Sequence, residues 1–183
     1  MAPSPRDPRG SSTRAERVSI EGGTLFATVD KADAPNAPSI LLSNSLATTH
    51  RIWDSQVAFL TRRYRVIRYD TRGHGASGVP PGPYEFEHLV ADACAVLDHF
   101  GVAQAAFMGI SLGGITGIGL ALAQPDRVDR LVCWDARADA PPAFLSAWQE
   151  RVETVRRDGV GSIAAPTLER WLKPAFRASE PGG

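Results

Sequence analysis

Cysteine, net charge and long apolar runs are all scarce in this 183-residue chain. The two cysteines, Cys94 and Cys133, lie far apart and form no C-x-x-C pair, which speaks against a disulfide framework and for reduced thiols in the cytoplasm. Twenty basic residues balance twenty acidic ones. With neither a basic stripe nor an acidic tail, nucleic acid and membrane surfaces are excluded as partners. No apolar run approaches the roughly 18 residues of a membrane span. The opening "MAPSPRDPRGSSTRAER" has basic residues but no apolar segment behind them, so it does not read as a secretory signal. Rich in proline, glycine, serine and arginine, residues 1–17 are expected to form a disordered leader.

What is present is an ordinary globular composition, 43% hydrophobic and 22% charged, long enough to bury one core. "RVSIEGGTLFATVDK" alternates apolar and polar on both sides of Gly22-Gly23, a hairpin signal. "SILLSNSL" and "YRVIRYD" are short continuous apolar runs that suit strands buried on both faces. A helix is expected from Trp53 to Arg63, with Ile52, Val57 and Leu60 facing inward. The recurrence of Phe86, Leu89, Val90, Ala93, Val96, Leu97 and Phe100 predicts an amphipathic helix from Glu85 to Phe100. The strand "QAAFMGIS", a small-residue helix from Leu112 to Ala123 and the strand "VDRLVCWDA" follow. This alternation predicts a mostly parallel sheet with helices on both faces over residues 18–140. Over residues 141–183 the pattern becomes purely helical: one helix after Pro141-Pro142, then a short one around Thr167 to Leu172, broken by Pro174.

Chemistry concentrates in "MGISLGGI". Gly109-Ile110-Ser111-Leu112-Gly113 matches G-x-S-x-G between a strand and a Gly/Ala-rich helix, the setting of a nucleophile elbow. The glycines let the strand and helix backbones approach, and the helix N-terminus favours negative charge developing at Ser111. A serine that merely caps a helix is the plainer reading of the same residues.

The elbow, "NSLATTHRIWD", "VIRYDTRGHGAS" and "TLERWLKPAFR" together resemble α/β-hydrolases of the 3-oxoadipate enol-lactonase group, over about Arg17 to the C-terminus. That resemblance implies an α/β-hydrolase fold carrying the start of a helical lid. It also implies a cofactor-free, metal-free hydrolase of small lactones or carboxylic esters in aromatic-compound catabolism, within the β-ketoadipate pathway. Ser111 matches the nucleophile, and the backbone N–H of Leu112 matches one oxyanion-hole donor. The second donor falls in the loop after "SILLS", at Leu46 or its neighbour Ser45. A general carboxylesterase, a cofactor-free haloperoxidase-like hydrolase and a non-catalytic ligand-binding remnant remain alternatives.

The proton acceptor is the difficulty. His50, His74, His88 and His99 all precede Ser111, whereas this fold places its catalytic histidine after the serine and the acid. His74 matches a structural loop residue of the family, as do Asp70 and Arg72, and His50 could line a pocket. His88 and His99 lie eleven residues apart, roughly 16 Å along one helix, too far to share a metal. Asp135 stands at the end of "LVCW", where some relatives carry the acid, though a pocket or loop carboxylate fits it as well. The sequence is therefore expected to represent the N-terminal portion of such a hydrolase, ending within the lid and impaired in activity. Its strand "RLVCW" would then form an unprotected sheet edge, prone to self-association; oligomeric state is otherwise open.

Overall fold

In the computed structural model, residues 13–179 are described. The first two strands, β1 (Arg14–Ile20) and β2 (Gly23–Asp30), form the expected antiparallel hairpin, turning through Gly22 at φ 78°. β1 begins at Arg14, which corrects the expectation of a leader reaching residue 17. Arg14 and Glu16 are charged because β1 is an edge strand: Arg14 pairs with Val29, and Glu16 meets His99 at 2.6 Å. Residues 1–12 of the expected leader lie outside the described residues.

Four further strands complete one sheet: β3 (Ser39–Ser43), β4 (Arg65–Tyr69), β5 (Ala105–Ile110) and β6 (Val128–Trp134). Their order is β1-β2-β4-β3-β5-β6, with β2 antiparallel to β4 and the last four strands mutually parallel. The apolar runs divide their side chains between two faces. Leu41, Ile67 and Phe107 join one buried cluster, while Ile40, Leu42, Val66 and Ala106 join the other. Each strand is thus apolar at successive positions because both faces are covered, as parallel sheets require.

The helix α2 (Phe86–His99) supplies Val90, Ala93, Val96 and Leu97 to the first cluster, and α3 (Leu112–Ala123) supplies Leu120. Glu85 and His88 cap α2 reciprocally, the Glu85 N–H donating to His88 Nδ1 at 2.9 Å. On the opposite face, a 3-10 turn (His50–Trp53) leads into α1 (Asp54–Leu60), shorter than the expected 53–63. Trp53 is buried there, and Ile52, expected inward, is exposed. The rotation is set by a buried hydrogen bond, in which Trp53 Nε1–H donates to Asn44 Oδ1 at 3.1 Å.

The described residues from Asp139 onward form a separate compact unit, divided from the sheet at Ala138/Asp139. It contains α4 (Pro142–Asp158), α5 (Ala164–Trp171) and α6 (Pro174–Ser179), and no strand among its described residues. Arg151 links α4 to α5 through Thr167 Oγ1 at 3.2 Å and lies over the Trp148 ring, 4.9 Å from its centroid. Pro174, expected to break a helix, also starts a new one, since its fixed φ suits a first helical position.

Candidate active site

Four non-glycine residues with positive φ occur among the described residues, and three of them follow the carboxyl ends of parallel strands: Ala47 after β3, Ser111 after β5 and Asp135 after β6. Such conformations cost of order 1–3 kcal/mol each and gather where function requires them. The carboxyl edge of the parallel sheet is therefore the candidate site.

Ser111 occupies φ 52°, ψ −115° between the last residue of β5 and the first of α3. The turn is so tight that a Cβ on Gly109 would land on the Gly113 carbonyl. One on Gly113 would land on the carbonyls of Ser43 and Asn44. Three hydrogen bonds hold the apex. Ser111 N–H donates to Trp134 C=O at 2.9 Å, Gly113 N–H donates to Asn44 C=O at 2.9 Å, and Ile115 N–H returns to Ser111 C=O at 3.0 Å. With the amides on either side engaged, the Leu112 N–H has no acceptor among the described residues.

The loop after β3 lies beside this turn because Ser43 pairs with Gly109 across the sheet. Asn44 anchors it. Its side chain is buried, donating to Tyr69 C=O at 2.7 Å and accepting from Trp53 at 3.1 Å. Ala47 N–H donates to His74 Nε2 at 3.1 Å, and His74 Nδ1 lies 3.0 Å from Arg72 C=O, which fixes the tautomer with the proton on Nδ1. Leu46, half-buried between these anchors, has an N–H with no acceptor among the described residues. Ser45, the neighbouring alternative, is buried.

The structure brings Ser111, Leu112 and the Leu46 loop together and places Asp135 one strand away, exposed, directly after the residue that holds the Ser111 amide. It does not bring a histidine to Ser111. His50 Nδ1 lies 2.8 Å from Asp70 Oδ1, with its ring against Phe26. His74 holds the loop amide, His88 caps α2, and His99 meets Glu16. Among the described residues no side chain hydrogen-bonds the Ser111 hydroxyl.

Asp70 organises the loop behind the site. It accepts from His50 N–H at 2.7 Å and from Ala76 N–H at 2.9 Å as well as from the His50 ring. Burial alone would raise its pKa; these hydrogen bonds outweigh that and hold it below the ordinary aspartate value. Arg72 is locked to Asp92 by two 2.7 Å bonds in the core, and Asp92 in turn raises its pKa. The residue that sequence reading missed is Asn44. Its partners Tyr69 and Trp53 come from other elements and leave no local signal.

A strained serine between a strand and a helix, at the carboxyl edge of a parallel sheet and beside free backbone amides, defines the hydrolase class of α/β proteins. The chain belongs to the alpha/beta hydrolase fold family, whose profile matches residues 38–176. It is 42% identical over 156 residues to 3-oxoadipate enol-lactonase 2 of Acinetobacter baylyi, covering 85% of this chain and 57% of that protein. It is also similar to the crystal structure of the enol-lactonase from Burkholderia xenovorans LB400, with TM-score 0.84, 38% identity, and coverage of 91% of this chain and 63% of that one. A thermophilic esterase from Thermogutta terrifontis aligns with TM-score 0.77 at 25% identity over 92% of this chain and 62% of that one. The chain thus spans about three-fifths of the length of these relatives.

Proposed function

We propose that this chain carries the nucleophile and oxyanion site of a cytoplasmic serine hydrolase acting on small lactones or carboxylic esters, with an enol-lactone of aromatic-acid breakdown as the favoured substrate. The observation that carries the reading is the Ser111 turn, strained at φ 52° and flanked by two amides without acceptors. In this reading Ser111 Oγ attacks the carbonyl carbon, and the resulting oxyanion accepts hydrogen bonds from the Leu112 and Leu46 N–H groups. Each donor is worth roughly 3 kcal/mol. The ring or ester C–O bond then breaks, the departing oxygen takes up the proton that Ser111 lost, and water removes the acyl group from Ser111, giving the acid and restoring the hydroxyl. The substrate class rests on the 42% identity to an enol-lactonase, and the free thiols Cys94 and Cys133 fit a reducing compartment.

None of the four histidines is proposed as the base, because each is engaged elsewhere. Asp135 is the candidate acid nearest the elbow in the chain's topology. Hydrolysis by the 183-residue chain alone is therefore expected to be feeble, since loss of a triad histidine costs up to about a million-fold. The test is a fluorophosphonate probe with adduct mapping by mass spectrometry. Modification of Ser111, absent in Ser111→Ala, supports the reading. Saturable lactone binding with no adduct at Ser111 would instead favour a non-catalytic binding module.

A further inference from the structure

Three of the four histidines have no open lone pair on Nε2. His74 Nε2 accepts the Ala47 N–H, and His99 Nε2 meets Glu16. His88 accepts the Glu85 N–H at Nδ1, which leaves its own proton on Nε2. His50 is arranged the other way round. Asp70 Oδ1 takes both its backbone N–H at 2.7 Å and its ring Nδ1 at 2.8 Å. An ionised carboxylate only accepts, so the ring proton sits on Nδ1 and the Nε2 lone pair is open. Among the described residues nothing bonds to that Nε2, and solvent reaches it, the side chain being 15% exposed.

The ring is firmly mounted. Asp70 is 1% exposed, its second oxygen takes the Ala76 N–H at 2.9 Å, and a Cβ on Gly75 would strike it. The His50 ring leans on Phe26, with centroids 5.2 Å apart, and Arg17 lies over Phe26, 5.5 Å from its centroid. A buried carboxylate that orients an imidazole and leaves its far nitrogen open is the arrangement that makes a triad histidine effective. Here it does not serve Ser111. Asp70 follows β4 and Ser111 follows β5, with β3 between them, roughly 10 Å apart along the sheet edge. Phe26 draws the ring further off, onto β2.

We propose that His50 is itself a nucleophile, hydrolysing activated aryl esters at a site separate from Ser111. The Nε2 lone pair forms a C–N bond to the ester carbonyl carbon, the C–O bond breaks, and the phenolate leaves with its electron pair. The acyl-imidazolium on His50 keeps its Nδ1 proton on Asp70, so its positive charge faces a carboxylate. Water then adds to the carbonyl carbon, and the C–N bond breaks with its electrons returning to Nε2. The acid departs, its protons passing to solvent. Imidazole displaces a weakly basic phenolate but not a strongly basic alkoxide, which confines this activity to aryl esters and distinguishes it from the lactone chemistry proposed for Ser111.

The test uses the Ser111→Ala variant of the full chain, so its failure leaves the Ser111 reading untouched. This variant should release p-nitrophenolate from p-nitrophenyl acetate and leave ethyl acetate intact. Adding His50→Gln should lower the rate about tenfold or more, whereas adding His99→Gln should not change it. On the Ser111→Ala chain itself, diethyl pyrocarbonate should abolish hydrolysis in step with carbethoxylation of His50, located by mass spectrometry, and hydroxylamine should restore it. That second measurement decides the matter if His50→Gln fails to fold. Aryl ester hydrolysis no faster than in buffer would overturn the proposal. So would a rate undiminished in folded His50→Gln, or one that persists once His50 is carbethoxylated.

Discussion

Asn44 is the residue on which the candidate oxyanion loop depends. Its carbonyl takes the Gly113 N–H, while its side chain spans Trp53 and Tyr69. Replacing it with Ala keeps the first bond and strands two buried partners. Asn44→Ala should cost about 2–6 kcal/mol in urea unfolding, at about 1–3 kcal/mol per unsatisfied group. Gly113→Ala drives a methyl into the carbonyls of Ser43 and Asn44, and should cost about 3 kcal/mol or prevent folding. Asp70 carries a pH signature. Its folded pKa is lowered, so its contribution is present above the unfolded value near 3.9 and is lost as pH falls through the folded one. Asp70→Asn should therefore be destabilising at pH 7, with the gap from wild type shrinking below about pH 4, read by chemical denaturation at each pH.

At the scale of elements, the strand–turn–helix around Ser111 was legible because its signal is local. Two glycines at fixed spacing, an apolar run before them and small residues after them describe one continuous piece of chain. The β3 loop was legible only as a position. What holds it, the Ala47 N–H on His74 and the Asn44 side chain on β4, joins residues 25 or more apart in sequence, and no local pattern encodes such contacts. The same limit explains β1, whose charged residues read as leader until the strand beside them is seen, and Ile52, whose orientation follows the Trp53–Asn44 bond. One consequence is testable in the loop itself. His74→Ala removes the acceptor of the Ala47 amide, so hydrogen exchange at Ala47 should accelerate at least tenfold, with exchange in β4 unaffected.

Across the whole molecule, sequence and structure agree on the family, and the proposed nucleophile Ser111 has no proton acceptor among the described residues. Every histidine has a partner that ties it elsewhere, and among the described residues the Ser111 hydroxyl has none. The elbow therefore offers geometry and electrostatic stabilisation without a base drawn from His50, His74, His88 or His99. The pH dependence of fluorophosphonate labelling at Ser111 measures this directly. If no imidazole takes the proton, the labelling rate should be low and rise steadily with pH to 9, following hydroxide. A rate that levels off through a single titration near pH 6.5, the ordinary range of histidine, would contradict the account.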